Sequence, residues 1–221
     1  MGIIYYIYLL FIIIFLCILL KNSTKISTIK AKIYIEISLC LFFMRYITLM
    51  FFRISHGTRY LYVLKPAIFI NNLGIICLSI MFIYVFFKKN NIDFKYNYCF
   101  ALAFSGGYFT LIKYIVIKVI YDVNFGYIVN EMSNYDNVSF AYLLCLSVFL
   151  LISVMYFDKK NAETKNIIIF ILIIAFTMLE NILFICGIKI MPYVMVSDVP
   201  FLIFSSYLIK RLSKNNVIPN D

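Results

Sequence analysis

Residues 3–20 read IIYYIYLLFIIIFLCILL and contain no charged side chain. A helix of this length rises about 27 Å at about 1.5 Å per residue, close to the roughly 30 Å of a bilayer's hydrocarbon core. No basic region precedes the run and no small-residue cleavage site follows it, so we expect a retained span and not a signal peptide. The stretch predicts a transmembrane helix near the N-terminus.

The rest of the chain repeats this pattern of apolar runs. Hydrophobic residues make up 64% of the chain and charged residues only 14%, whereas soluble domains are about 25% charged. Unsatisfied backbone groups cannot face lipid, so each apolar run should be an α-helix. The sequence therefore predicts an all-α, polytopic membrane helical bundle with a single transmembrane domain over residues 1–221. Its seven transmembrane helices are expected at about 3–20, 33–52, 62–87, 97–121, 138–157, 166–187 and 190–209.

The basic residues predict how the bundle is oriented. Thirteen Lys and Arg residues fall in the first, third and fifth loops and in the C-terminal tail. Four fall on the opposite side, namely Arg53, Arg59, Lys65 and Lys189. Because cytoplasmic loops carry an excess of Lys and Arg, we expect the N-terminus outside and the C-terminus in the cytoplasm.

The remaining composition limits the partners and the source. The net charge is +10, but topology accounts for the basic loops, so we expect the lipid bilayer and no nucleic acid as a partner. The abundance of Ile, Asn, Lys, Tyr and Phe is typical of AT-rich coding. We therefore expect the source to be an AT-rich bacterium and the location to be its cell membrane. The six cysteines form no CxxC pair, and we expect free thiols.

A layer of polar residues inside the predicted spans is the candidate site. At about 1.5 Å per residue, all of them lie within about 7 Å of the midplane, in its outer half. Its members are Arg45, Asn71, Asn72, Lys113, Glu180 and Asp198. Ionisable groups at this depth are expensive, and they usually face a partner or a wet cavity. Two cations and two anions make the layer neutral as a set, and we predict that Arg45 pairs with Glu180 or Asp198.

Pro200 adds a predicted irregularity to the seventh span. A proline within a helix removes a hydrogen bond and clashes with the carbonyl four residues earlier, so we expect a kink that frees the carbonyl of Val196 beside Asp198. A free carbonyl beside a carboxylate is how discontinuous helices bind cations, although an ordinary kink is the alternative. In the fourth span, Ser105-Gly106-Gly107 would allow close approach of another helix or of a ligand.

Motifs for catalysis and cofactor binding are missing from the sequence. The single histidine, His56, falls in a predicted outer loop, whereas haem, zinc and triad chemistry need histidines at depth or in groups. No nucleotide-binding motif occurs, and the loops are too short for a soluble domain. We therefore expect no enzyme activity, no catalytic residues, no metal and no cofactor.

Three functions remain open. In the first, the polar layer is a pocket that binds or transports a small polar or ionic solute, with Arg45 and Lys113 contacting anions and Asp198 and Glu180 contacting cations or protons. In the second, the chain is a receptor-like sensor whose ligand enters from outside. In the third, the charges are structural ion pairs, and the chain is an accessory, immunity or assembly protein that acts through a membrane-protein partner.

Overall fold

A computed structural model describes residues 2–54, 58–87, 94–122, 124–133, 135–157 and 163–214. The helices are α1 (Gly2–Ser23), α2 (Ile29–Ile54), α3 (Thr58–Val63), α4 (Lys65–Phe86), α5 (Lys95–Tyr114), α6 (Tyr135–Met155), α7 (Thr164–Ile185) and α8 (Asp198–Lys214). The strands are β1 (Val116–Asp122) and β2 (Gly126–Ser133). His56 and four of the basic loop residues, Lys88, Lys89, Lys159 and Lys160, lie outside the described residues.

Five helical segments are long and apolar enough to cross a membrane. They are Gly2–Ser23, Ile29–Phe52, Leu61–Phe86, Asn137–Met155 and Thr164–Ile185. The predicted membrane helical bundle is therefore confirmed, but the count of seven spans is not. The helices α5 and α8 do not meet the same limits of length and apolarity, and α8 has only 17 residues.

The predicted fourth span, 97–121, is wrong in its last seven residues. The helix α5 ends at Tyr114, and β1 then pairs with β2 in an antiparallel hairpin in which Val119 lies opposite Val129. The run from Val116 to Asp122 is rich in β-branched residues, and apolar length alone does not distinguish a short helical segment from a strand. The chain reverses where Asp122 Oδ1 accepts the N–H groups of Asn124 and Phe125 and Gly126 adopts a φ of +75°.

The predicted seventh span, 190–209, begins too early. The helix α7 ends at Ile185, close to the predicted bound of 187, and Gly187 follows with a φ of +85°, the left-handed conformation that follows many helices. The Ile188 N–H donates to the Leu183 carbonyl and the Gly187 N–H donates to the Phe184 carbonyl, which completes the helix cap. Residues 186–197 then follow an irregular path, and we call them the irregular segment.

The core of the bundle forms where α2 and α4 pack closely. A Cβ on Gly74 would lie 2.8 Å from Cε2 of Phe42, so the absence of a side chain permits this approach. About two turns further along α4, the Phe82 ring contacts Phe204 of α8 and Phe170 of α7, with centroids 4.7 and 5.4 Å apart. The helix α4 therefore links α2 to both α7 and α8.

The two ends of the bundle differ. At the hairpin end, defined by β1 and β2, the Tyr6 hydroxyl donates to the Phe125 carbonyl. At the far end, Arg211 near the end of α8 forms a two-bond ion pair with Glu163, which precedes α7. Open strand edges are not tolerated in contact with hydrocarbon, so we expect the hairpin at the membrane surface or beyond it. The predicted orientation places the hairpin end outside.

Candidate functional site

The carboxylate of Asp198 is the centre of a buried polar cluster. Arg45 Nη1 donates to Oδ2 at 2.9 Å, and the Tyr46 hydroxyl donates to the same oxygen at 2.6 Å. Asn71 Nδ2 lies 3.3 Å from Oδ1. Arg45 is only 3% exposed and Asp198 is fully buried. The cluster thus joins α2, α4 and the first residue of α8, and it resolves the choice of partner for Arg45 in favour of Asp198.

Side chains from α1 and α2 also hold the irregular segment. Arg45 Nη2 donates to the carbonyl of Val194 at 2.6 Å, and the Tyr8 hydroxyl donates to the carbonyl of Met195 at 2.6 Å. Met195 itself is fully buried. Non-helical backbone at membrane depth is tolerated only where protein or a wet cavity satisfies it. These bonds provide that satisfaction.

Glu180 binds the backbone immediately before α8. Its Oε1 accepts the N–H groups of Met195 and Val196, both at 2.9 Å, and its Oε2 accepts the N–H of Ser197 at 2.7 Å. These three residues precede α8, so their N–H groups have no helical partner and need another acceptor when they are buried. Glu180 therefore acts on the backbone, whereas Asp198 acts on the arginine.

A very small cavity lies beside the cluster. Its volume is about 20 Å³, and its lining includes Arg45, Asn71, Asn72, Asn181 and Phe184. A water molecule needs about 10–15 Å³ of such volume, so the cavity has room for about one water. Arg45 Nε has no hydrogen-bond partner among the described residues. Asn72 is half-buried, and its part in the cluster is to line this cavity.

Lys113 does not belong to the cluster. It lies in the last turn of α5, its side chain is exposed, and it makes no ion pair with any acidic residue that the structure describes. The prediction placed it at depth because it extended the helix to residue 121. Since α5 ends at Tyr114, Lys113 lies next to the hairpin.

Pro200 does not produce the predicted kink. It lies in the first turn of α8, where no preceding helical turn exists for its ring to disturb. The Val196 carbonyl, which was expected to be free, accepts the N–H of Val199 at 3.3 Å. The cation site predicted from a kinked helix is therefore not formed in this way.

Several cluster residues were missed by sequence reasoning. Tyr8, Tyr46 and Asn181 are polar, but the hydroxyl of a tyrosine is easily overlooked within an apolar run. A usable signal is general, because the hydroxyl of a tyrosine within a buried span usually needs a hydrogen-bond partner.

A second, much larger cavity lies between α4, α5 and α6. Its volume is about 610 Å³, and its lining is mostly apolar, with Asn97 at one end. We call this cavity the groove. Nothing in the sequence predicted it, since the order in which helices pack cannot be read from span lengths.

No family model, curated protein or solved structure matches the chain. Within the described part of the chain, no group of three or more His, Cys, Asp or Glu side chains is placed to hold a metal ion.

Proposed function

We propose that the chain is a non-catalytic accessory membrane protein, of the immunity or assembly type, whose buried charges hold its bundle together. In this proposal, the chain acts through a membrane-protein partner in the cell membrane. The buried cluster then serves to fix the irregular segment and α8 against α1, α2 and α7.

The observation that carries this proposal is that the cluster binds its own chain. Arg45 contacts Asp198 and Val194, while both oxygens of Glu180 accept backbone N–H groups. The remaining volume of about 20 Å³ accommodates no solute larger than about one water. Buried ion pairs of this kind often fix the arrangement of helices.

The face of α5 that carries Gly106 and Gly107 supports a protein partner. A Cβ built on either glycine meets no heavy atom within 4 Å. Small residues allow membrane helices to approach closely, so this face suits a helix of another protein.

Accessibility of the cluster tests the proposal. The six native cysteines are replaced, and single cysteines are introduced by Asn72→Cys, in the wall of the small cavity, and by Lys113→Cys as the exposed control. A membrane-impermeant thiol reagent should label position 113 and leave position 72 unreacted. Labelling at position 72 would contradict a closed, structural cluster.

A second candidate function is binding or transport of a small polar or ionic solute. It is favoured by Arg45 Nε, which lacks a partner within the described chain and belongs to a residue in the wall of the small cavity. The cluster also lies where a short helix follows non-helical backbone, as in many transporter sites. Labelling at position 72 from both sides would support transport, whereas labelling from outside alone would support a receptor-like sensor.

A further inference from the structure

The groove has the size of a ligand site. Helix α4 forms its floor, and α5 and α6 form its walls. Its volume of about 610 Å³ lies within the range of about 300–1,000 Å³ that is usual for ligand pockets. Since α4 and α6 belong to segments able to span the membrane, the surrounding lipid can reach the groove directly.

The lining of the groove is apolar as a whole, and its few polar side chains lie toward the far end. Four polar residues line the far end, namely Tyr84, Tyr96, Asn97 and Tyr156. Toward the hairpin end, the walls are apolar and include Phe100, Phe104 and Leu144. From Asn97 to Phe104 the helix rises about 10 Å. The groove therefore matches a molecule with one polar end and a long apolar chain.

Asn97 indicates which chemical group the polar end of the bound molecule must carry. The residue is only 5% exposed, and its Nδ2 has no hydrogen-bond partner among the described residues. A buried amide donor without an acceptor is costly. A phosphate or ester oxygen at the membrane surface would accept this N–H, and Asn97 is placed for it because α5 begins only two residues earlier.

A positive charge near the groove favours an anionic molecule. Lys95 is exposed at the start of α5, within one helical turn of Asn97, although it does not line the groove. The predicted orientation places this far end at the cytoplasmic leaflet, which is the leaflet rich in anionic lipids. We propose that the groove binds an anionic phospholipid, with one acyl chain between α5 and α6 and the headgroup at Asn97, close enough to Lys95 for its charge to attract the headgroup.

This proposal goes beyond the function proposed above and does not depend on it. The groove and the buried cluster use different residues, so accessibility of position 72 and lipid selectivity in the groove are separate results.

Tryptophan fluorescence provides the test. The chain has no Trp, so Phe104→Trp introduces a single reporter in the wall of the groove. The full chain is reconstituted in vesicles that contain brominated phosphatidylglycerol or brominated phosphatidylcholine, and quenching gives the relative affinity of the two lipids. Leu172→Trp, on the exposed surface of α7, is the matched control.

We expect a preference of about fivefold for phosphatidylglycerol at position 104, from one lysine near the headgroup, and none at position 172. Adding Lys95→Gln, an exposed change that should leave the fold intact, should remove most of this preference. Asn97→Leu should weaken binding of both lipids at position 104, whereas Asn97→Gln should restore it.

Two outcomes would overturn the proposal. Equal affinities at positions 104 and 172 would mean that the groove has no lipid selectivity. Protection of position 104 from both brominated lipids would mean that protein fills the groove, such as a helix from a second copy of the chain.

Discussion

At the scale of single residues, Asp198 shows how a buried carboxylate is made tolerable in this bundle. It faces the Arg45 guanidinium, the Tyr46 hydroxyl and the Asn71 amide, and all three donate to it. Removing one donor leaves a charge with incomplete compensation. The loss of folding stability should therefore be larger than the net contribution of the ion pair to that stability.

A double-mutant cycle on this pair tests that expectation. Arg45→Met alone should destabilise the protein by about 3–5 kcal/mol, because it leaves the carboxylate buried without its cation. The double variant Arg45→Met, Asp198→Leu should lose less than the two single variants lose in sum. Thermal unfolding in detergent measures the four proteins, with Lys113→Met as an exposed control. Strictly additive losses would show that the ion pair is not coupled.

The sequence predicted part of this site and missed the rest for physical reasons. Arg45, Asn71 and Asp198 were found because polar groups at membrane depth need partners. Tyr46 was missed because the length of an apolar run does not show where a tyrosine hydroxyl points. The backbone donors bound by Glu180 were missed because the same length does not show where a helix starts. Lys113 was assigned wrongly because its depth depended on a helix boundary.

At the scale of secondary-structure elements, the contact between α2 and α4 depends on one glycine. Gly74→Ala should destabilise the protein by about 1–3 kcal/mol, because the added Cβ would overlap the fully buried ring of Phe42. Gly106→Ala is the matched control, since nothing lies within 4 Å of its added Cβ. Thermal unfolding of both variants is the measurement. Equal effects would show that Phe42 moves aside at little cost.

At the start of α8, by contrast, we expect a substitution to have almost no effect on stability. Pro200→Ala should change stability by no more than about 0.5 kcal/mol, because a first-turn residue needs no intrahelical hydrogen bond. A proline inside the helix would instead have cost about 3 kcal/mol relative to alanine. Thermal unfolding of the variant and of the parent protein measures this change in stability. A stabilisation of several kcal/mol would place Pro200 within a longer helix.

The same elements show how much of the fold follows from the sequence. Five helices that are able to cross a membrane follow from long apolar runs, and the end of α7 follows from Gly187. The β-hairpin and the irregular segment did not follow, because the residues of β1 and those after Lys189 are apolar enough to be assigned to the neighbouring spans. In each case, hydrogen bonds to distant side chains or strands replace the helical ones.

At the scale of the whole molecule, the orientation of the bundle remains a prediction that the hairpin makes testable. In a chain without its native cysteines, Asn124→Cys should react with an impermeant reagent added to intact cells, because the turn lies at the predicted outer end. Ser213→Cys, near the end of α8, should react only after permeabilisation. The reverse pattern would show that the distribution of Lys and Arg does not orient this protein.

The irregular segment also constrains the order in which the protein is built. Its bonds reach back to Tyr8 and Arg45, which leave the ribosome long before Met195 does. Helix α8, with 17 residues, is short for a segment that must enter the bilayer unaided. Its docking must therefore await the insertion of α1, α2, α4 and α7, which makes the closing of the bundle the last step of biogenesis. A chain halted before that step would expose Arg45 and Glu180 without their partners, and a quality-control protease could recognise it by these uncompensated charges.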